Sequence, residues 1–336
     1  MRSNLMVRCR DFPCSALFMY IVGHALIHMC HHERGERMAE TPYIQAASIL
    51  PRHLRTRILA LDAERLQRVE EFRLRRGQNM TLLLGDGEHP VEDTTISEDD
   101  LRTILEQVSR HSVHTVLGQV RSGFLSVPGG HRIGLCGEAT MREGELHTLS
   151  HLSSLSIRIA RPIHGLAHRI LPELCQGETP CSTLILAPPG AGKTTLLRDL
   201  IRAISNGEGC PALRVGVADE RGELAAMWEG SIQLDVGRHT DVMSGCPKAQ
   251  GMAVLLRGMN PQVLAVDEIT AEEDIQAITW AVGCGVTLLA TAHGSKQEDL
   301  RRRPLYRPLL EGRLFQRLLT VERRKGQRIW SVEVLS

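Results

Sequence analysis

The residues of this chain with the clearest chemical capability form the run Ala187-Pro188-Pro189-Gly190-Ala191-Gly192-Lys193-Thr194, which has the composition and spacing of a phosphate-binding loop. A triphosphate needs many hydrogen-bond donors at close range, and small residues permit that approach. Gly190 and Gly192 allow the backbone N–H groups to curl into an anion nest at the positive end of a following helix. Lys193 is expected to reach the β- and γ-phosphates of ATP, Thr194 to place its hydroxyl on Mg²⁺, and Thr195 to touch the α-phosphate. Ala187 stands in the first position, where Gly is commoner.

Two more segments bring groups that complement this loop. Gln262-Val263-Leu264-Ala265-Val266-Asp267-Glu268 reads as a buried parallel strand that delivers two carboxylates to the ligand edge of an α/β sheet. Asp267 is expected to hold the Mg²⁺ through a water, and Glu268 to orient and deprotonate the attacking water. Val286 to Thr291 is another strand, followed by His293, which can sense the γ-phosphate because imidazole donates a hydrogen bond in either protonation state. Leu213 to Ala218 reads as a third strand, ending in the charged cluster Asp219-Glu220-Arg221-Gly222-Glu223.

The elements that must position these groups are legible around them. Thr183-Leu184-Ile185-Leu186 is an apolar strand entering the loop, and Thr195 to Ile201 has the pattern of an amphipathic helix leaving it. Together with the other strands this predicts an α/β class chain: a RecA-like P-loop NTPase core preceded by a smaller α+β domain.

The run Asp241-Val242-Met243-Ser244-Gly245-Cys246-Pro247-Lys248-Ala249-Gln250-Gly251-Met252, continuing through Leu256-Arg257-Gly258-Met259-Asn260-Pro261, resembles the stage III sporulation protein AA family. So does Val127-Pro128-Gly129-Gly130-His131-Arg132-Ile133-Gly134-Leu135-Cys136-Gly137, and the resemblance covers roughly residues 43 to 336. It implies a P-loop ATPase similar to the motors of type II and type IV secretion and pilus systems. By that resemblance Gln262 to Glu268 is the Walker B strand, and Arg257 matches the arginine before it, His293 the histidine box, and Glu220 with Arg221 the acidic box. The chain departs from those motors in carrying Asp267 where they usually have Gly, and Thr-Ala-His-Gly in place of their histidine box.

Composition agrees with a two-domain machine in a reducing compartment. At 336 residues, 42% hydrophobic and 24% charged, the chain exceeds one typical core and can bury a sizeable interior. A formal net charge of +1 gives no nucleic-acid signature, and 3% aromatic residues leave few stacking platforms for single strands. Nine scattered cysteines without a Cys-x-x-Cys pair read as reduced thiols.

Residues 1–37 form an atypical N-terminal extension: Phe12 to Cys30 carries no formal charge, but Pro13, His24 and His28 interrupt it. A non-native start, a tail and a membrane anchor all stay open for it. Residues 38–165 read as the α+β domain. There Ile44 to Leu61 is helical with a break at Pro51, Val69 to Leu74 and Met80 to Leu84 are extended, and Ser97 caps a helix to about Arg110. Phe124 to Cys136 makes a hairpin around Pro128-Gly129-Gly130, and Ser156 to Ala160 is the last strand. Residues 166–336 read as the ATPase domain, closed by a hairpin of Leu314 to Val321 and Ile329 to Val334 around Arg324-Lys325-Gly326-Gln327. A solvated face explains the arginines of 301–328 most simply.

These observations imply a Mg²⁺-ATPase. The loop and one Mg²⁺ leave the far side of the γ-phosphate uncovered, so a neighbour's arginine is expected to complete the site. Arg221, Arg238 and Arg257 are candidates, and by analogy with secretion motors so are Arg121, Arg132 and Arg158. The resemblance implies a homo-oligomer, a hexamer, working in the mother-cell cytoplasm on the membrane proteins of a stage III sporulation channel complex. Two alternatives remain: a nucleic-acid-dependent NTPase using Gly134-Leu135-Cys136-Gly137 as a Gly-x-x-Gly clamp, and a non-hydrolysing scaffold gated by ATP.

Overall fold

A computed structural model describes residues 41–109, 124–142, 144–324 and 327–335. The extension 1–37, Arg121, Lys325 and Gly326 lie outside the described residues.

Three short helices open the described residues: α1 (Pro42–Ser48), α2 (Arg52–Leu59) and α3 (Ala63–Arg68). Pro51 separates the first two, because its ring disfavours helical geometry in the residue before it. Strands β1 (Glu71–Arg75), β2 (Asn79–Leu84) and β3 (Gly87–Thr95) follow, then helix α4 (Glu98–Ser109). Ser97 caps α4 as its sequence predicts: the Asp100 amide donates to Ser97 Oγ at 3.1 Å, and Asp100 accepts from the Ser97 amide at 2.9 Å. Strands β4 (Phe124–Ser126), β5 (Arg132–Arg142) and β6 (Glu145–Arg158) complete an antiparallel sheet of order β3-β2-β1-β6-β5-β4. Its apolar face, with Phe72, Leu74, Leu82, Ile133 and Ile157 buried, packs on the helices through Leu54, Ile58, Leu101 and Ile104. β5 and β6 run further than their apolar residues indicate, since their outer halves pair with each other and the outer half of β5 is largely exposed.

The second sheet carries the chemistry. After α5 (Leu166–Leu174) and the short pair β7 (Cys175–Gln176) and β8 (Thr179–Pro180) come β9 (Thr183–Ala187), α6 (Lys193–Asn206), β10 (Val215–Asp219) and β11 (Thr240–Ser244). They are followed by α7 (Lys248–Gly258), β12 (Val263–Val266), α8 (Glu272–Gly283) and β13 (Thr287–His293). Helices α9 (Gln297–Arg302) and α10 (Arg307–Glu311) and the hairpin β14 (Arg317–Arg324) with β15 (Gln327–Val334) end the chain.

The order is β11-β10-β12-β13-β9-β14-β15, parallel except for β15. β9, β10 and β12 are buried along their whole length, as apolar strands covered on both faces must be. One face packs on α5 and α6 through Leu197, Leu200 and Ile204, the other on α7, α8 and α10 through Met252, Leu255 and Ile278. Because the strands are parallel, the loops after β9, β10, β12 and β13 emerge at one edge, where such sheets bind ligands.

The two sheets are joined beyond the chain connection. Arg132 donates to Glu223 Oε1 at 2.8 Å and to the Arg221 carbonyl at 2.7 Å, and the Gly129 amide donates to Gln233 Oε1 at 2.9 Å. Gly134-Leu135-Cys136-Gly137 lies within β5, not in the loop that a Gly-x-x-Gly clamp requires. The close pass of β6 accounts for Gly137 instead: a Cβ there would fall 2.9 Å from the Ser150 carbonyl oxygen.

Candidate active site

The loop between β9 and α6 has the conformation its glycines permit. Gly190 and Gly192 adopt φ of 74° and 90°, and α6 begins at Lys193 with Gly192 as its N-cap, which has no side chain to cap the first amides. Those amides and the positive end of the helix dipole are left for an anion. Ala187 is the buried last residue of β9, Pro188 and Pro189 form the outward bend, and Ala191 packs into the core. Thr195 lies on the first turn of α6, half-buried.

Lys193, Thr194, Asp267, Glu268 and His293 meet at the strand-end edge. Thr194 Oγ1 donates to Asp267 Oδ2 at 2.7 Å, and Thr291 Oγ1 donates to Asp267 Oδ1 at 2.6 Å. Thr291 also accepts the Glu268 amide at 2.7 Å, which ties the turn after β12 to β13. Glu268 itself has φ of 53°, a left-handed conformation that costs a non-glycine residue about 1–2 kcal/mol and turns its carboxylate back over the edge.

The buried ammonium of Lys193 lies 3.1 Å from His293 Nδ1, and His293 Nε2 lies 2.7 Å from Glu268 Oε1. An ammonium only donates, so Nδ1 accepts, the imidazole proton sits on Nε2, and Nε2–H donates to Glu268 Oε1. Arg221 Nη1 donates to Glu268 Oε2 at 3.0 Å. Both carboxylate oxygens of Glu268 therefore accept from positively polarised donors, and one line of polar atoms runs from the phosphate loop to exposed Arg221.

The cluster after β10 has divided duties. Asp219 is 2% exposed, and its two oxygens receive the amides of Glu223, Leu224 and Ala225, which shapes the loop. Burial pushes its carboxyl pKa up, against the pull of those amides. Glu220 accepts from Lys248 Nζ at 2.6 Å, and the same buried ammonium lies 3.5 Å from Asp274. Asp219, Glu220, Arg221, Glu223, Lys248, Asp267 and Glu268 line a small cleft.

Three arginines are not brought to this cluster. Arg257 lies in the last turn of α7, before β12, and Arg238 precedes β11, so both are exposed at the strand-start edge, across the sheet from Lys193. Arg158 is exposed on β6, 4.0 Å from Glu71. Arg132 is engaged within its own chain by Glu223, with its guanidinium 4.7 Å from the Phe124 ring centroid. Sequence reasoning passed over Thr291, Lys248 and the buried role of Asp219. The polar residues in an otherwise apolar β13 run, and a lysine opening α7, were the available signals.

Residues 42–331 match the profile of the family described as sporulation stage III, protein AA. The chain belongs to this family. It is 35% identical over 283 residues to stage III sporulation protein AA of Bacillus subtilis, an alignment spanning 84% of this chain and 92% of that protein. The fold is shared with the ATPase DotB of Legionella pneumophila, at 16% identity and a TM-score of 0.52 over 88% of this chain and 81% of that one. It is also shared with the pilus retraction motor PilT solved with bound ADP, at 16% identity and a TM-score of 0.54 over 80% and 79%. The fold is thus a RecA-like P-loop core with a smaller α+β N-terminal part. No helix among the described residues is long and apolar enough to cross a membrane.

Proposed function

We propose that this chain is a Mg²⁺-dependent ATPase that acts as a ring of identical subunits and energises a membrane-embedded sporulation channel complex. The observation that carries the reading is the meeting of Lys193, Thr194, Asp267, Glu268 and His293 on one sheet edge, although they come from three separate segments. The residues fit the groups they would hold. A hydroxyl and a carboxylate 2.7 Å apart are hard oxygen donors suited to Mg²⁺, with Asp267 acting through a water. The uncapped start of α6 and the open space beside Gly190 suit a triphosphate.

Bound there, Mg²⁺ would neutralise charge that develops on the phosphate oxygens. Lys193 places its ammonium against the same oxygens, and Thr195 stands at the α-phosphate end. Glu268 accepts a proton from the attacking water, with His293 fixing the carboxylate's direction through Nε2–H. Arg221, with 58% of its side chain exposed, can leave Glu268 for the phosphate of its own or a neighbouring site. Arg238 and Arg257 can act only on a neighbour's nucleotide. On this reading residues 38–165 and 166–336 are separate domains in a protein of the mother-cell cytoplasm, held at the membrane through its partners.

The test is ATP hydrolysis with Mg²⁺ across a protein concentration series, beside Lys193→Ala and Glu268→Gln. Specific activity should rise steeply with concentration and vanish in both variants. Spore yield should fall in a strain carrying Lys193→Ala, and a normal yield would sink the sporulation role. Loss of function in Lys193→Ala but not in Glu268→Gln would favour an ATP-gated scaffold.

A further inference from the structure

The C-terminal hairpin brings a side chain to the phosphate loop that the reading above does not use. A Cβ built on Gly192 would fall 2.6 Å from Arg328 Nη2, 2.9 Å from Cζ and 3.0 Å from Nε. The Nη2–Cζ–Nε edge of the guanidinium therefore lies against Gly192, directly before Lys193. Arg328 is the second residue of β15 and pairs with Arg323 near the end of β14, so parallel pairing of β14 with β9 carries it to the ligand edge. It is half-buried, and among the described residues no carboxylate or carbonyl pairs with it. A partly desolvated guanidinium beside uncapped helix amides is a cation without its anion.

The sheet order says which part of a nucleotide it faces. Asp267, Glu268 and His293 approach the loop from β12 and β13 on one side of β9, while β14 and β15 lie on the other. We propose that Arg328 is a diphosphate-binding residue, donating to the α- and β-phosphates of ADP and ATP alike from the side away from the metal and the attacking water. This rests on the nucleotide reading of the site. It also gives Gly192 a second reason to be glycine, since any side chain there would displace the guanidinium.

The experiment measures dissociation constants of ADP and ATP, competition by inorganic pyrophosphate, and kcat, for the whole chain and for Arg328→Ala and Arg328→Lys. Arg328→Ala should weaken ADP, ATP and pyrophosphate together by about 10- to 100-fold, the loss expected for a charge-assisted hydrogen bond. At saturating ATP, kcat should change less than about threefold, because the residue holds ground state and transition state alike. Arg328→Lys keeps the charge, guards against a folding artefact, and should recover part of the affinity. Unchanged ADP affinity in Arg328→Ala overturns the assignment. So does a loss confined to ATP, or a loss for ADP without one for pyrophosphate, which would put the guanidinium on the nucleoside. If the unsubstituted chain binds no nucleotide, the nucleotide reading fails and this inference with it; if it binds and Lys193→Ala does not, only the Arg328 result bears on this proposal.

Discussion

Glu268→Gln separates the chemistry of the site from its architecture, because both partners of the Glu268 carboxylate donate. His293 Nε2–H meets Oε1 at 2.7 Å and Arg221 Nη1 meets Oε2 at 3.0 Å. A glutamine presents one carbonyl oxygen and one NH₂, so it satisfies only one of them. The half-buried His293 keeps the oxygen, while exposed Arg221 swings into solvent. An exposed ion pair of this kind contributes about 0–1 kcal/mol, so the melting temperature should fall by no more than about 4 °C. The backbone link from the Glu268 amide to Thr291 is untouched, as is the Thr194 to Asp267 contact, so nucleotide affinity should stay within about threefold. Hydrolysis should fall by about 10²- to 10⁴-fold, the contribution of a positioned general base. Steady-state phosphate release, a nucleotide titration and a thermal melt on one preparation measure all three. Turnover within threefold of the unsubstituted chain would refute Glu268 as the base, and a melting loss above 10 °C would refute the geometry assigned to its partners.

Other substitutions reach different parts of the argument. His131 is fully buried, its Nδ1 accepts the Ala160 amide, and burial pulls its pKa down to about 4. The unfolded chain binds that proton near the ordinary 6.5, so the stabilisation is present above pH 6.5 and lost as pH falls through 4; urea melts at pH 7 and 4.5 should differ by about 2–3 kcal/mol, a difference reduced in His131→Asn. Lys248→Met leaves Asp274, 6% exposed at its side chain, without its ammonium, although the amides of Thr270 and Ala271 still reach it; a loss of about 2–4 kcal/mol in chemical denaturation is expected. Gly192→Ala forces a Cβ into a φ of 90° and into the Arg328 guanidinium, so calorimetric ATP binding should be lost while the far-UV spectrum is kept.

The phosphate loop was legible because its logic is local. Strand, glycine-bearing turn and helix are contiguous, and the φ values that only glycine takes easily are written into the residue types. The acidic pair at the end of β12 was legible for the same reason: an apolar run followed by two carboxylates has few other readings. Strands that lack such a run were missed. β3 is mostly polar with Pro90 inside it, β11 is a half-buried edge, and the exposed outer half of β5 is held by pairing with β6, not by a core. Extended structure there is decided by a partner strand, which leaves little trace in hydrophobic pattern. The tertiary structure alone decided who meets whom across long separations. It engaged Arg132 with Glu223, placed Arg257 and Arg238 across the sheet from Lys193, let Thr291 bridge Asp267 and the Glu268 amide, and laid Arg328 against Gly192. A charged side chain reads alike in sequence whether it faces solvent or a phosphate loop, and only parallel strand order brings those loops to one edge.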